Sequence, residues 1–260
     1  MRCNSPLPLL LLALTAVASP ARGQSGQQPS RGPDSGAQTR VPGIDVLPLP
    51  GMPFIGSDRT VWTRPLTGGG SSTSYLQAKV IRDGQGRLYR ERHSFSTADA
   101  DPATTLREFS ILDPVAHTGT VCERATRLCH ITAYHPQLSF TVQPVGPFDQ
   151  GRRYLTRESL GNQWIENLAV TGTLETVAVA PGTLGNDQPL TITREFWYSP
   201  DLQTNLTVIR NDPREGKQEI HLLLDSRAEP EPSVFAIPAS YRVQDDRVAI
   251  RPAKASPEQP

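Results

Sequence analysis

Through the later part of this chain apolar residues recur at every second position. Leu190, Ile192, Phe196 and Tyr198 fall on one side of such a run, with Arg194 interrupting them, while Thr191, Thr193, Glu195 and Trp197 fall on the other. Ile220, Leu222 and Leu224 repeat the pattern. A period of two is the spacing of side chains on a strand, and one apolar face beside one polar face marks an antiparallel sheet. Strands are predicted at 189–198, 205–211 and 217–225, joined as a meander by the turns at 199–201 and 212–216. Further strands are predicted at 59–66, 74–82, 87–95, 106–112, 119–123, 128–134 and 168–179. Asp83-Gly84-Gln85-Gly86 turns one hairpin, because glycine accepts the positive φ of a tight turn. Helical periodicity is poor, and only 96–105 and 156–164 suit a turn or two of helix.

The pattern fades at both ends. Residues 24–41 are polar and lack any apolar period, so they cannot offset the entropy of ordering. Residues 42–56 are apolar but broken by prolines, which suits an extended arm laid on the domain. Before them, Arg2, the apolar stretch from Leu7 to Ala18 and the small residues at 19–23 form a secretory signal peptide, with cleavage after Ala21 or Gly23. The expected organisation is a signal peptide at 1–23, a disordered or extended leader at 24–56, an antiparallel β domain at 57–251 and a flexible tail at 252–260. The protein is therefore expected to be exported, to the periplasm or beyond the cell. No later stretch approaches the roughly 20 apolar residues of a membrane helix, so the mature chain is expected to have no transmembrane span.

Composition agrees with many short strands: the chain has 25 prolines and 20 glycines in 260 residues. Its 26 basic and 26 acidic residues become 24 and 26 once Arg2 and Arg22 leave with the signal, a formal charge of −2. That balance argues against nucleic acid as a partner.

Candidate chemistry is sparse. If Arg124 to Arg127 form a four-residue loop, Cys122 and Cys129 face each other across a hairpin, and an oxidising compartment permits a disulfide between them. Two free thiols, or a metal site with His130, are the competing readings. The spacing is not a redox Cys-x-x-C, and no second pair completes a zinc site. The histidines at 93, 117, 130, 135 and 221 stand in no metalloprotease frame. There is no Gly-x-Ser-x-Gly elbow and no phosphate-cradling loop, so no catalytic residue, metal or cofactor is assigned. Trp62, Trp164, Phe196, Trp197 and Tyr198 are read as core or as the wall of a ligand cavity.

Several longer stretches carry a resemblance. They are Arg82-Asp83-Gly84-Gln85-Gly86-Arg87, Ile111-Leu112-Asp113-Pro114-Val115, the run from Glu158 to Glu166, Gly185-Asn186-Asp187-Gln188-Pro189, the run from Glu195 to Leu202, and the closing Phe235-x-x-Pro238-x-x-Tyr241. Residues 75–243 resemble an uncharacterised secreted bacterial protein family of acidobacterial type. That family is distantly similar to the periplasmic lipoprotein-carrier (LolA/LolB-like) half-barrel proteins. The resemblance implies an all-β fold, a single curved antiparallel sheet with one or two short helices. It also implies a non-enzymatic protein that binds an apolar or lipid-like ligand on the concave face of the sheet. Leu190, Ile192, Phe196, Tyr198, Leu222 and Leu224 are the expected ligand wall. The alternative is an envelope structural or protein-interaction module with a packed core and no ligand. A large cavity lined by these side chains favours the first, and a cavity filled by them favours the second.

Overall fold

Alternating burial runs through most strands of the structure, and hairpin turns set their order. The computed structural model describes residues 44–135 and 142–247. The signal peptide expected at 1–23, the leader up to residue 43, residues 248–251 of the expected domain and the tail expected at 252–260 lie outside the described residues. The strands are β1 (Phe54–Pro65), β2 (Ser71–Arg82), β3 (Leu88–His93), β4 (Leu106–Asp113), β5 (Thr118–Glu123), β6 (Leu128–Ala133), β7 (Gly146–Phe148), β8 (Arg153–Ile165), β9 (Leu168–Val179), β10 (Leu190–Ser199), β11 (Thr204–Asp212), β12 (Gly216–Ser226) and β13 (Arg242–Asp245). They form one sheet in the order β13-β6-β5-β4-β3-β2-β1-β12-β11-β10-β9-β8-β7. All neighbours are antiparallel except β13, which runs parallel to β6.

This order forces the sheet to curve. Eleven inter-strand gaps separate β6 from β7, which is about 53 Å across a flat sheet at ~4.8 Å per gap. The chain from Ala133 to Gly146 has thirteen peptide steps and reaches about 47 Å at most. A flat sheet would break that connection, so the two wings bend towards each other.

One face is dry in the central strands. Phe54, Gly56, Asp58, Thr60 and Trp62 of β1 are buried, and the cross-strand neighbours Ala78, Val80 and Arg82 on β2 and Gln218, Ile220 and Leu222 on β12 are buried with them. We call this the inner face, around which the sheet curls. Ile44, Val46, Val80, Leu88, Val208, Ile220 and Leu222 belong to its largest apolar cluster. Among the described residues the outer face carries an apolar cover over β3–β6. There Phe109, Ile111, Cys122 and Cys129 form a second cluster, with Phe235, Ile237 and Tyr241 of the C-terminal segment packed on it.

The expected all-β fold is present, with a four-residue helix at Pro102–Thr105 and one 3-10 turn at Pro232–Phe235. The helical turn expected at 156–164 is instead the body of β8. Both faces of that stretch are largely exposed, so no alternation marks it, and its pairing with β9 is what makes it a strand. β1 starts at Phe54, five residues before the stretch predicted from Arg59, because its register with β2 and β12 continues to Ile55 and beyond.

Candidate binding face

Residues 44–52 lie on the inner face as an extended arm. Ile44 and Val46 are 0% and 3% exposed. The arm does not add a strand to the sheet, so its backbone groups must find other partners. Side chains supply most of them. Arg82 donates from Nε to the Met52 carbonyl at 2.9 Å, from Nη1 to the Leu47 carbonyl at 3.0 Å and from Nη2 to the Leu202 carbonyl at 2.8 Å. Arg90 donates to the Ile44 carbonyl, and the Ile44 N–H donates to Asp58 Oδ2 at 2.9 Å. Thr204 Oγ1 donates to the Asp45 carbonyl at 3.1 Å. Burial pulls the Arg82 guanidinium down to about 10, which still leaves it charged at neutral pH. The arm also fixes a glycine. Gly86 has φ +87°, and a Cβ there would lie 2.9 Å from the Pro48 carbonyl oxygen.

Beyond the arm, a polar row crosses the inner face. Trp62, Gln218, Arg210, Arg194, Glu175 and Arg157 are directly opposed in register from β1 through β12, β11, β10 and β9 to β8. Gln218, Arg210, Arg194 and Glu175 are all buried. Arg157 Nε donates to Glu175 Oε1 at 2.9 Å, and Arg210 Nη2 to Asp212 Oδ2 at 2.7 Å. Burial opposes the charge on Asp212. The hydrogen bonds from Arg214 and the Arg210 charge outweigh it and hold the carboxyl below its usual range. The Arg194 guanidinium lies 4.8 Å over the Phe196 ring.

The six residues expected to line a ligand wall do not form one wall. Ile192 is buried in a cluster with Leu155, Val177 and Val179, and Leu190 packs against that cluster. Leu222 belongs to the arm's cluster, and Phe196 and Leu224 pack against it. Tyr198 is 41% exposed. The buried Arg194 and Arg210 are part of what separates the groups. The clamp residues Arg82, Arg90 and Asp58 and the polar row went unassigned from the sequence. A signal was present: Arg194, Arg210, Gln218 and Glu175 each stand where the period of two calls for an apolar side chain.

Cys122 and Cys129 face each other in the β5–β6 register and are joined by a disulfide, with Cα atoms 4.0 Å apart. The bond sits under Phe109 and Tyr241, whose rings meet edge-on at 5.5 Å. His130 is bonded through Nδ1 to Asp246 Oδ2 at 2.5 Å. Among the described residues no group of three or more His, Cys, Asp and Glu side chains is placed to hold a metal ion. None of their helices is long and apolar enough to cross a membrane.

No protein-family model and no curated protein matches this chain. Solved structures do. MucB, alone and in the Pseudomonas aeruginosa MucA/MucB complex, matches at 13% and 12% identity with TM-scores of 0.34, over 74% and 73% of this chain. This chain spans only 59% and 58% of those MucB chains. A LolA superfamily protein from Nitrosomonas europaea matches at 11% identity with a TM-score of 0.28, over 72% of this chain and 91% of that one. An outer membrane lipoprotein-sorting protein domain from Vibrio parahaemolyticus, itself described as putative, matches at 10% and 0.27, over 70% and 89%.

Proposed function

We propose that this is an exported, non-enzymatic binding protein that takes an apolar, lipid-like ligand on the inner face, where the arm at 44–52 now lies. The observation that carries this reading is how the arm is held. The apolar floor around Val80, Leu222 and Leu224 is covered by one extended segment, fastened through its carbonyls by Arg82, Arg90 and Thr204. A cover of that kind leaves the floor intact when it lifts, and the acyl chain of a lipid matches the floor in polarity. The wall in this reading is Phe196, Leu222 and Leu224 beside the arm, with Leu190 and Ile192 in the next cluster along β10; Tyr198 stands apart from it.

A second reading, a packed interaction module of the envelope, is favoured by the depth of Arg82, which is 0% exposed and bonded to three carbonyls. The two separate in one experiment. The denaturation midpoint of the mature chain is measured with and without a long-chain phospholipid, beside an Ile44→Ala/Val46→Ala variant that loosens the arm. In the carrier reading lipid raises the midpoint, and raises it more in the variant. In the packed reading lipid moves neither, and the variant is simply less stable.

A further inference from the structure

We propose that the end of the β8–β9 hairpin carries a separate binding site for a neutral sugar ring. A cleft of 360 Å³ opens there, lined by Trp164, Asn162, Ala169, Thr171 and Pro200 among others. Trp164 is 75% exposed, more than any other large apolar side chain among the described residues. Its cross-strand partner is Ala169, whose methyl group is too small to cover the indole. Burying so large a ring normally stabilises a fold, so one left bare beside a cleft is a stacking surface awaiting a partner.

The rest of the cleft selects the partner's chemistry. Asn162 and Thr171 are directly opposed, and the Thr171 hydroxyl donates to Asn162 Oδ1 at 3.0 Å. That bond fixes the amide with its two N–H donors available and leaves the hydroxyl oxygen able to accept. Tyr198, opposed to Thr171 on the next strand, adds a second exposed aromatic on the same side of the sheet. None of the side chains lining the cleft is charged. A pyranose has an apolar C–H face for the indole and ring hydroxyls for the amide and hydroxyl pair. A charged ligand would enter a site with no counter-charge. The nearby turns carry Glu166 and Asp201, which disfavours an anionic membrane surface. The site is distinct from the arm-covered floor and does not depend on what that floor binds.

Calorimetric titration of the mature chain with cellohexaose, maltohexaose and hexa-N-acetylchitohexaose tests this. At least one is expected to bind saturably. Trp164→Ala is expected to weaken that binding about tenfold or more, the loss of a stacked ring, and Asn162→Ala to weaken it several-fold. Trp164→Phe is expected to keep most of it. Both residues are exposed, so the three variants should unfold at the parent midpoint. A free hexasaccharide and neutral vesicles bearing a glycolipid with the same sugar distinguish a free glycan from a lipid-borne one, and binding of either supports the site. No saturable binding of any sugar overturns it. So does undiminished binding by Trp164→Ala, or binding of sugar-free phosphatidylcholine vesicles through Trp164 in place of sugar.

Discussion

Two segments near the chain's ends cover the two faces of one sheet by opposite means. The arm at 44–52 is held largely through its backbone, with four of its carbonyls accepting bonds from Arg82, Arg90 and Thr204. The C-terminal segment is held through its side chains, with Phe235, Ile237 and Tyr241 packed on the disulfide cluster. It is then locked by β13, whose parallel register with β6 runs from Arg242 opposite Leu128 to Asp245 opposite Ile131. Donors aimed at carbonyls accept any extended chain of suitable shape, whereas interlocked rings accept one sequence. The outer cover is thus specified by its side chains, and the inner one is, under the proposed function, the segment that a ligand displaces.

The largest expected effect is at the inner clamp. Arg82→Ala leaves one buried and two half-buried carbonyls without their donor and is expected to lower stability by about 4 kcal/mol in urea denaturation. Amide exchange should show the arm released and the C-terminal segment still protected. Equal exposure of both would end the distinction. Phe109→Ala attacks the outer cover instead and is expected to lose about 3 to 4 kcal/mol, with protection lost first around Phe235 and Tyr241. Smaller again is Cys122→Ser/Cys129→Ser. The sequence separation is 7, so a loss of about 2 to 3 kcal/mol is expected, with far-ultraviolet dichroism unchanged.

The smallest effect is a pH dependence of the outer cover. Hydrogen bonds from His130 and then Gln244 hold the Asp246 carboxyl below its usual range. A carboxylate depressed in the folded state adds stability above its unfolded pKa, near 4, and loses it as pH falls through the lower folded value. The pair is solvent-exposed and screened by salt, so the readout is local. Exchange of the Asp246 amide, which donates to the Ile131 carbonyl, should quicken below pH 4 relative to the amides of β6, and Asp246→Asn should erase that extra change.

Much of this architecture was legible in the sequence, and the exceptions share a cause. The Cys122–Cys129 pairing follows from local loop length, and the β10–β12 meander follows from alternation between close turns. Alternation assigns a residue to a face but does not say which strand lies beside it. Leu190 and Leu222 were therefore placed on one wall, although they pack in different clusters. The row from Gln218 to Arg157 needs four strand registers at once and so stayed hidden. β8 was missed because a strand exposed on both sides carries no hydrophobic period. The arm's apolar, proline-broken composition showed in the sequence, but its clamp by Arg82 and Arg90 joins residues 30 or more positions apart.

The strand order also governs how the chain reaches its native state. β1 lies in the middle of the sheet, and one of its two neighbours is the twelfth strand to be made, with Thr60 opposite Ile220 at a separation of 160 residues. Apart from β13, which returns to pair with β6, each wing is otherwise built from successive strands that pair with their predecessors. A chain emerging N-terminus first can assemble the β2–β6 wing early, but it holds one edge of β1 open until nearly all of the rest has arrived. Closing so distant a pair costs chain entropy before any contact rewards it, so folding is expected to be slow at that step. Any product that stops before β12 keeps an unpaired central edge and is expected to aggregate through it.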